Sequence, residues 1–484
     1  MSLSREAIVE HLQKIVPADQ VITDAAVLQA RSIDNFRKLQ YIFDKFIQPV
    51  PAAVVMVKST EQASAVLAFA NEHHVNVVAR TGGTATEGGL ETPVENSIVM
   101  DGSQMNQIIK IDAYNMQATA QCGVPLQVLE DQARLLGLTT GHSPQSKPVA
   151  QMGGLVATRS IGQFSTLYGG IEDMVVGCEV VFPGGQVSRI KNVPRRAAGP
   201  DIRHIVIGNE GALCFISEVT VKLFPYMPEN HRFLGWTLKD MKTGFEALRE
   251  VMVAGYKPSV ARLYDPEDGQ LHFSNFAAID DCILLFLAEG NPGIAKATAE
   301  GIAEIVAQYT ECTPVDPNLV AEWFDDLVWG PEKITNEDTR IRTTRNVNRT
   351  TEISGDWGCI NDIYEAAIAR IRSEIRGLTL LGGHSSHSYI NGTNMYFNYF
   401  YDLIDCEPEE ENDKYYFPII KIICEETLRF GGSIVHHHGI GKARSRWVTE
   451  EYGSSYAMLE TLKRAFDPNG IMNMGTIIPL KPQA

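Results

Sequence analysis

Arg80-Thr-Gly-Gly-Thr-Ala-Thr-Glu-Gly-Gly89 follows directly on the short apolar run Val75–Ala79. Glycines crowd the loop just where a strand-like segment runs out. Glycine has no Cβ, so a loop of this kind lets backbone N–H groups close on the oxygens of an anion. The spacing departs from Gly-x-Gly-x-x-Gly, and no Gly-Lys-Ser/Thr follows, so neither the Rossmann dinucleotide fingerprint nor a P-loop is met. Alone, the loop reads equally well as a structural turn. Upstream, Pro51 precedes a run of strand type, Ala53–Val57, and Ser59 with Gln62 has the spacing of a capping box. That predicts a helix from about Thr60 to His74, and an order of strand, helix, strand, glycine loop. Downstream, the pattern predicts strands at 97–100, 108–111 and 116–120 and a helix over 125–136.

The loop has two companions. Ser143-Pro-Gln-Ser146 leads into Met152-Gly-Gly-Leu-Val-Ala-Thr-Arg-Ser-Ile-Gly162, and Gly199-Pro-Asp-Ile-Arg-His-Ile-Val-Ile-Gly-Asn-Glu-Gly211 precedes a β-rich run. Glycine clusters spread along the chain in this way suit an extended ligand held in pieces. A dinucleotide has that length, with its pyrophosphate on one loop and its rings on others.

The chain has 484 residues, enough for two or three domains. Lys and Arg number 42 against 59 Asp and Glu, a net charge of −17 that repels phosphate backbones and anionic lipid. Nucleic-acid and membrane partners are therefore not expected. No apolar run approaches the roughly 20 residues of a spanning helix, and MSLSREAIVEHLQK carries charges where a signal peptide has its apolar core. The 8 cysteines show no Cys-x-x-Cys, as expected for reduced thiols in a cytoplasmic protein. Residues 1–49 read as a polar helical segment with an apolar stripe at Ile8, Leu12 and Ile15. The composition shifts near Pro225–Pro228, which sets the expected divisions at 50–225, 226–415 and 416–484. Strands at Cys282–Leu287 and Asn394–Tyr401 and helices at Ala295–Gln308, Asn361–Arg376 and about Tyr415–Phe430 are expected in the second half.

His436-His-His438 stands between Gly431-Gly432 and Gly439-Ile-Gly441. If these residues form a strand, at most His436 and His438 share a face. Metal ligands, core residues and proton acceptors all remain open for them; imidazole titrates near neutral pH and can take a hydroxyl proton. Arg262 lies between apolar neighbours on a strand-like run, where a buried guanidinium needs an acid or an anionic substrate. Arg340, Arg342, Arg345 and Arg349 read as a solvated, salt-bridged segment or an anion site.

Taken together, Gly153-Gly-Leu-Val-Ala-Thr-Arg159, Tyr168-Gly-Gly-Ile-Glu-Asp-Met-Val-Val176, Gly199-Pro-Asp-Ile-Arg203 and Val435-His-His-His-Gly-Ile-Gly-Lys442 resemble the vanillyl-alcohol-oxidase superfamily, with its PCMH-type FAD-binding domain. Within it, the segments are most similar to the alkylglycerone-phosphate synthases and to bacterial FAD-linked oxidoreductases. The resemblance implies an α+β fold: a two-part FAD-binding PCMH-type domain with an α/β substrate cap domain. It implies FAD held through Arg80, Thr81, Gly82, Gly83, Thr84, Gly88 and Gly89 at the pyrophosphate. Pro144, Ser146, Gly153, Gly154, Thr158, Gly162 and Tyr168 would line the flavin, with Glu210 and Ile216 near the adenosine. Relatives with a covalent flavin carry a histidine where this chain has Thr84, so non-covalent FAD is expected. Asp467-Pro-Asn-Gly-Ile-Met-Asn473 resembles the family's closing motif and implies a flavin contact for Asn473, although Met474-Gly-Thr476 replaces the usual Pro-Gly-Lys. Gly211-Ala-Leu-Cys214 likewise stands where Gly-Thr-Leu-Gly is usual.

Relatives that oxidise 2-hydroxy acids use a metal site with Gly-His-x-Gly-Asp-Gly-Asn-x-His and Glu-His-Gly. The corresponding stretch here is Ser388-Tyr-Ile-Asn-Gly-Thr-Asn-Met-Tyr396. Tyr389 and Tyr396 replace both histidines and His437 replaces the glutamate, so no metal is expected. The resemblance implies catalytic roles for Tyr396, His436, His437, His438 and Arg262. As a residue pattern, Tyr396 also fits a cross-strand aromatic. The implied activity is oxidation of a small, anionic, hydroxylated substrate by hydride transfer to flavin. The alternative is an ether-forming transferase acting through a flavin adduct. A protein electron acceptor and a homo-oligomer are further expectations.

Overall fold

Pro51–Gly89 folds in the order read from it: strand Ala53–Met56, helix Thr60–Glu72, strand Val77–Arg80, then the glycine loop. The Ser59 hydroxyl accepts from the Gln62 N–H at 3.3 Å, but the Gln62 side chain accepts from the Lys58 N–H at 2.8 Å instead of closing the reciprocal box. This computed structural model describes residues 3–480 apart from 326, 328 and 329. Ile98–Asp101 lies parallel between the two strands, and Val21–Ile22 from the N-terminal segment adds antiparallel at one edge. Val54, Val55, Val77, Val78, Ile98 and Val99 are fully buried, as a parallel sheet covered on both faces requires. Helices Arg5–Ile15 and Thr60–Glu72 cover one face and Leu28, from helix Ala25–Arg31, packs on the other. The end of the chain closes the far edge: Val77 N–H donates to Ile471 and Asn473 N–H to Val77, both at 2.8 Å.

A second, antiparallel sheet runs Ile108–Asp112, Gln117–Gln121, Phe215–Lys222, Val175–Val181, Val187–Ile190. Helices Leu126–Arg134 and Met152–Ala157 pack their apolar residues against it.

The third sheet is also antiparallel, in the order Thr313–Pro314, Arg232–Leu238, Cys282–Ala288, Val260–Tyr264, Leu378–Ser385, Gly392–Asp402, Asn346–Asp356. Ser388–Tyr389 pairs beside Gly392–Asp402. Period-two alternation gives this sheet two different faces. Leu263, Ile353, Met395 and Phe397 point into the core with Phe245, Ile302, Ile363 and Ile423. Those residues come from helices Met241–Val253, Pro292–Val306, Ile360–Glu374 and Phe417–Arg429. Each large side chain buried there contributes about 1.5–3 kcal/mol. Arg262, Tyr264, Glu352, Asn394, Tyr396 and Asn398 occupy the intervening positions and form the opposite, polar face. The helices, one mixed sheet, the two large antiparallel sheets and a two-stranded antiparallel pair, Leu138–Thr139 with Phe224–Pro225, make the α+β class. Among the described residues no helix is long and apolar enough to cross a membrane.

Candidate functional site

The glycine loop ends a strand and packs on the second glycine segment. A Cβ on Gly82 would stand 2.6 Å from the Val149 carbonyl oxygen, and one on Gly154 would stand 2.9 Å from Thr81 Oγ1. Gly83 has φ +73°. Among the described residues, none of the N–H groups from Thr81 through Gly89 donates to the protein; the next donor along the chain is Leu90, to Asp34. Consecutive unused amides fit a diphosphate. Arg80, at the entrance, keeps its Nε unpartnered. Burial and neighbouring Arg31 bring its pKa down to about 10, so it stays charged at neutral pH.

Four strands build the other wall. Glu352 is in register with Tyr396, Tyr396 with His384, and His384 with Tyr264. The row is a stack: the His384 ring lies 4.6 Å from Tyr396 and 4.8 Å from Tyr264. His384 Nδ1 is 2.5 Å from Asp268, a fully buried carboxylate that also accepts from Asn398 at 2.9 Å. Arg262, 4% exposed, donates to the Tyr264 hydroxyl at 2.6 Å and sits over Trp323. Its Nε has no partner, and among the described residues no carboxylate pairs with it.

His436, His437 and His438 do not form the strand on which alternation was expected; residues 436–438 bend. The cause is Glu352. Its carboxylate accepts the N–H groups of His436 at 2.5 Å, His437 at 3.3 Å and His438 at 2.9 Å, curling the backbone around one anion. All three rings therefore gather, with successive centroids 5.0 and 4.6 Å apart. Fully buried Arg444 locks the arrangement: it forks onto Glu87 at 2.9 and 3.1 Å and donates to the carbonyls of Glu352 and Ile434. Tyr396 bonds His437 Nε2 at 2.7 Å, Tyr389 bonds His436 Nε2 at 2.8 Å, and the two Nδ1 atoms face each other at 2.9 Å. His387 stacks on His436 and bonds Ser165 at 2.8 Å; ring nitrogens of His387, His436 and His437 lie within 4.8 Å of one another. His438 Nδ1 is unpartnered, 3.5 Å from Glu352.

Burial dominates the electrostatics. It lowers the pKa of His436 and of His437 to about 3 and holds His387 and His438 well below the usual imidazole range, so all are neutral at physiological pH. Burial and the Glu352 charge raise the Tyr396 phenol, which keeps its proton.

The structure brings Gly89, Glu210, Lys442 and Asn473 together. Glu210 accepts from the Ile440 and Gly441 N–H groups at 2.8 and 2.9 Å, and burial raises its pKa to about 7. Asn473 Nδ2 donates to the carbonyls of Gly89 and Glu210, while its Oδ1 accepts from Lys442 at 2.8 Å. The side chains of Glu210 and Asn473 are thus engaged by protein. Gly88 is buried beside Phe36, and Thr84 lies half-buried on the loop. Pro144 and Ser146 supply carbonyls to Lys147 and Val149; Gly153 and Gly162 abut Cys122 and Ser143 closely. Thr158 bonds within its own helix, Tyr168 donates to Glu289, and Ile216 is a core residue of the second sheet, in register with Val180. Arg349 pairs with buried Glu411 and is itself buried, while half-buried Arg340 and Arg345 and exposed Arg342 bond Asn side chains or carbonyls, so these arginines are engaged by protein. Glu352, Arg444, Glu87 and Asp268 were not among the expected site residues. The one sequence signal for Glu352 is a lone carboxylate in the strand-like Thr350-Thr-Glu-Ile353.

The family described as FAD binding domain matches residues 51–191, and that described as FAD linked oxidases, C-terminal domain, matches 227–477. The chain is 65% identical to the "Uncharacterized FAD-linked oxidoreductase YgcU" of Escherichia coli (strain K12), over 99% of this chain and 100% of that one. It is 29% identical to the alkyldihydroxyacetonephosphate synthase of Caenorhabditis elegans, over 90% of this chain and 77% of that protein. Among solved structures, p-cresol methylhydroxylase with substrate bound superposes with a TM-score of 0.80 at 17% identity, covering 99% of this chain and 98% of that one. This chain is therefore a member of the FAD-linked oxidase family, an oxidoreductase with FAD as its cofactor.

Proposed function

We propose that the protein oxidises a small, anionic, hydroxylated substrate. Bound FAD supplies the two-electron acceptor for the hydride. Residues 50–225 hold the cofactor and residues 226–415 provide the substrate side, with 416–484 returning the histidines between them. The observation that carries the reading is Arg262: a buried guanidinium with no protein carboxylate among the described residues, on the same sheet face as Tyr396. A guanidinium in that state calls for an anion, and a carboxylate or phosphate meets its fork. Tyr396, still protonated, orients the substrate oxygen. His438, neutral, takes the hydroxyl proton on Nε2, its Nδ1 being turned to Glu352 at 3.5 Å; such assistance is typically worth about 10²–10⁴-fold.

FAD is held without a covalent link in this reading, because Thr84 offers no ring nitrogen to the flavin. Acid denaturation should then release free FAD into the supernatant; colour retained on the precipitate would contradict it. The main test is anaerobic mixing of the FAD-loaded protein with a panel of 2-hydroxy acids and hydroxylated phosphates. Bleaching of the flavin absorbance by one or more is expected. A flavin left oxidised by every one of them, with ether product formed from an acyl dihydroxyacetone phosphate and a fatty alcohol, would replace oxidation by the transferase reading.

A further inference from the structure

Tyr389, His436, His437 and Tyr396 make an unbroken chain: Tyr389 Oη to His436 Nε2 at 2.8 Å, His436 Nδ1 to His437 Nδ1 at 2.9 Å, and His437 Nε2 to Tyr396 Oη at 2.7 Å. Each link needs one proton. Two neutral tyrosines and two neutral imidazoles carry four between them, so one hydroxyl proton is left pointing off the chain. If both tyrosines donated inwards, both imidazoles would have to be Nδ1–H, and two N–H groups would collide across the 2.9 Å contact. The chain is therefore polarised. In one state Tyr396 donates to His437, His437 Nδ1–H to His436, and His436 Nε2–H to Tyr389, whose own proton points away. In the other state every link is reversed.

We infer that these four side chains form a proton relay that carries the substrate's hydroxyl proton from Tyr396 to Tyr389. The inference rests on the oxidation proposed above for its direction of flow, but not for its polarity. A proton reaching the Tyr396 oxygen, handed on from His438 or from the substrate, drives the Tyr396 hydroxyl proton onto His437 Nε2. The His437 Nδ1 proton passes to His436 Nδ1, the His436 Nε2 proton to the Tyr389 oxygen, and the Tyr389 hydroxyl proton leaves. One proton enters, one exits, and all four groups end neutral with the polarity reversed. That matters in a site where burial disfavours a resident imidazolium. The Tyr389 end lies toward the outside: Ile390 beside it is 68% exposed, and the charges acting on Tyr389 are Glu172, Asp173 and, more weakly, Glu352, with Glu172 paired to the exposed Arg159. The Tyr389 hydroxyl bonds His436, so Tyr389 acts through that imidazole as a positioning and relay residue.

Ring-nitrogen NMR of the FAD-loaded protein labelled with ¹⁵N-histidine reads the polarity directly. Opposite tautomers are expected at His436 and His437, one Nδ1–H and the other Nε2–H. Removing an end should set the direction, because Phe cannot accept an N–H: Tyr389→Phe strands the His436 Nε2–H of the first state and makes His437 Nε2–H, whereas Tyr396→Phe strands the reversed state and makes it Nδ1–H. Identical tautomers in the two rings, the same state in both variants, or a stoichiometric metal ion on the purified protein coordinated by the facing Nδ1 atoms would overturn the relay. Should either variant fail to fold, neutron diffraction from the unmutated protein locates the same ring protons. With any compound that bleaches the flavin, Tyr389→Phe should slow bleaching at unchanged KM. A loss of about 10²-fold, the low end of the range typical of a proton-transfer group, is expected, with the proton inventory in H₂O/D₂O mixtures turning linear. Unchanged rate and curvature would overturn proton flow while leaving substrate oxidation standing. A flavin that no hydroxylated compound reduces would instead remove the oxidation reading and leave the tautomer result intact.

Discussion

Glu352 faces Tyr396 across the sheet and at the same time holds the His438 N–H at 2.9 Å, so one carboxylate sets both the strand position and the histidine bend. It is fully buried, with Arg444 Nη1 3.8 Å away. Glu352→Ala leaves that guanidinium and the histidine amides without their anion, and should cost about 3–5 kcal/mol, read as a lower urea midpoint. Glu352→Gln keeps the shape but places an N–H₂ against N–H donors; turnover should fall more than stability does.

Tyr396→Phe removes the hydroxyl bonded to His437 at 2.7 Å while keeping the ring stacked on His384. FAD content should be unchanged, and anaerobic flavin reduction should slow by about 10²–10⁴-fold. An unaltered rate would assign Tyr396 to packing.

Arg262→Lys keeps the charge but loses the fork that already gives one N–H to Tyr264. The KM for an anionic substrate should rise about tenfold or more, as expected when a charge-assisted hydrogen bond of about 1.5–3 kcal/mol is lost. A neutral analogue should be unaffected, which steady-state kinetics on the pair will show.

Gly82→Ala puts a methyl 2.6 Å from the Val149 carbonyl oxygen, a backbone atom that cannot swing aside. The two glycine segments must separate, and the purified protein should lose most of its FAD, measured by its visible absorbance relative to protein. Gly293→Ala, in the helix Pro292–Val306 with nothing within 4 Å, is the matched control and should stay fully loaded.

Acid stability should carry the signature of the buried imidazoles. In the unfolded chain they take up protons near pH 6.5, whereas the folded pKa of His436 and of His437 is about 3. The unfolded state thus binds more protons in that window, and stability falls as pH drops from 6.5 towards 3. The slope is about 1.4 kcal/mol per pH unit for each imidazole. Glu210 runs the other way: its pKa, raised from 4.5 to about 7, means stability is lost as pH rises through that interval. Denaturation midpoints from pH 4.5 to 6.5 should therefore climb less steeply in His437→Gln and more steeply in Glu210→Gln than in the parent.

Local pattern was enough for the elements around the cofactor. Ala53–Val57, Thr60 and the run to Ala79 have the periodicity and cap that place strand, helix and strand, and Arg80–Gly89 has the glycines that a close backbone approach demands. Glu352 was illegible because a carboxylate in a strand signals nothing until the register sets it opposite Tyr396 and beneath the bend at 436–438. Asp268 and His384, or Glu87 and Arg444, lie more than a hundred residues apart in the chain and meet only when strands pair and the C-terminal segment returns. The reading of His436–His438 as a strand failed for the same reason, since the anion that bends it comes from elsewhere.

The sequence by itself determined the first strand–helix–strand unit, the glycine loops and the residue types available for proton transfer, because periodicity, turn chemistry and side-chain chemistry are local properties; the α+β class came from its family resemblance. Only the tertiary structure decided which imidazoles gather, which guanidinium is left without an acid, and which tyrosines bond which histidines, because hydrogen bonds and burial depend on contacts between segments far apart in the chain.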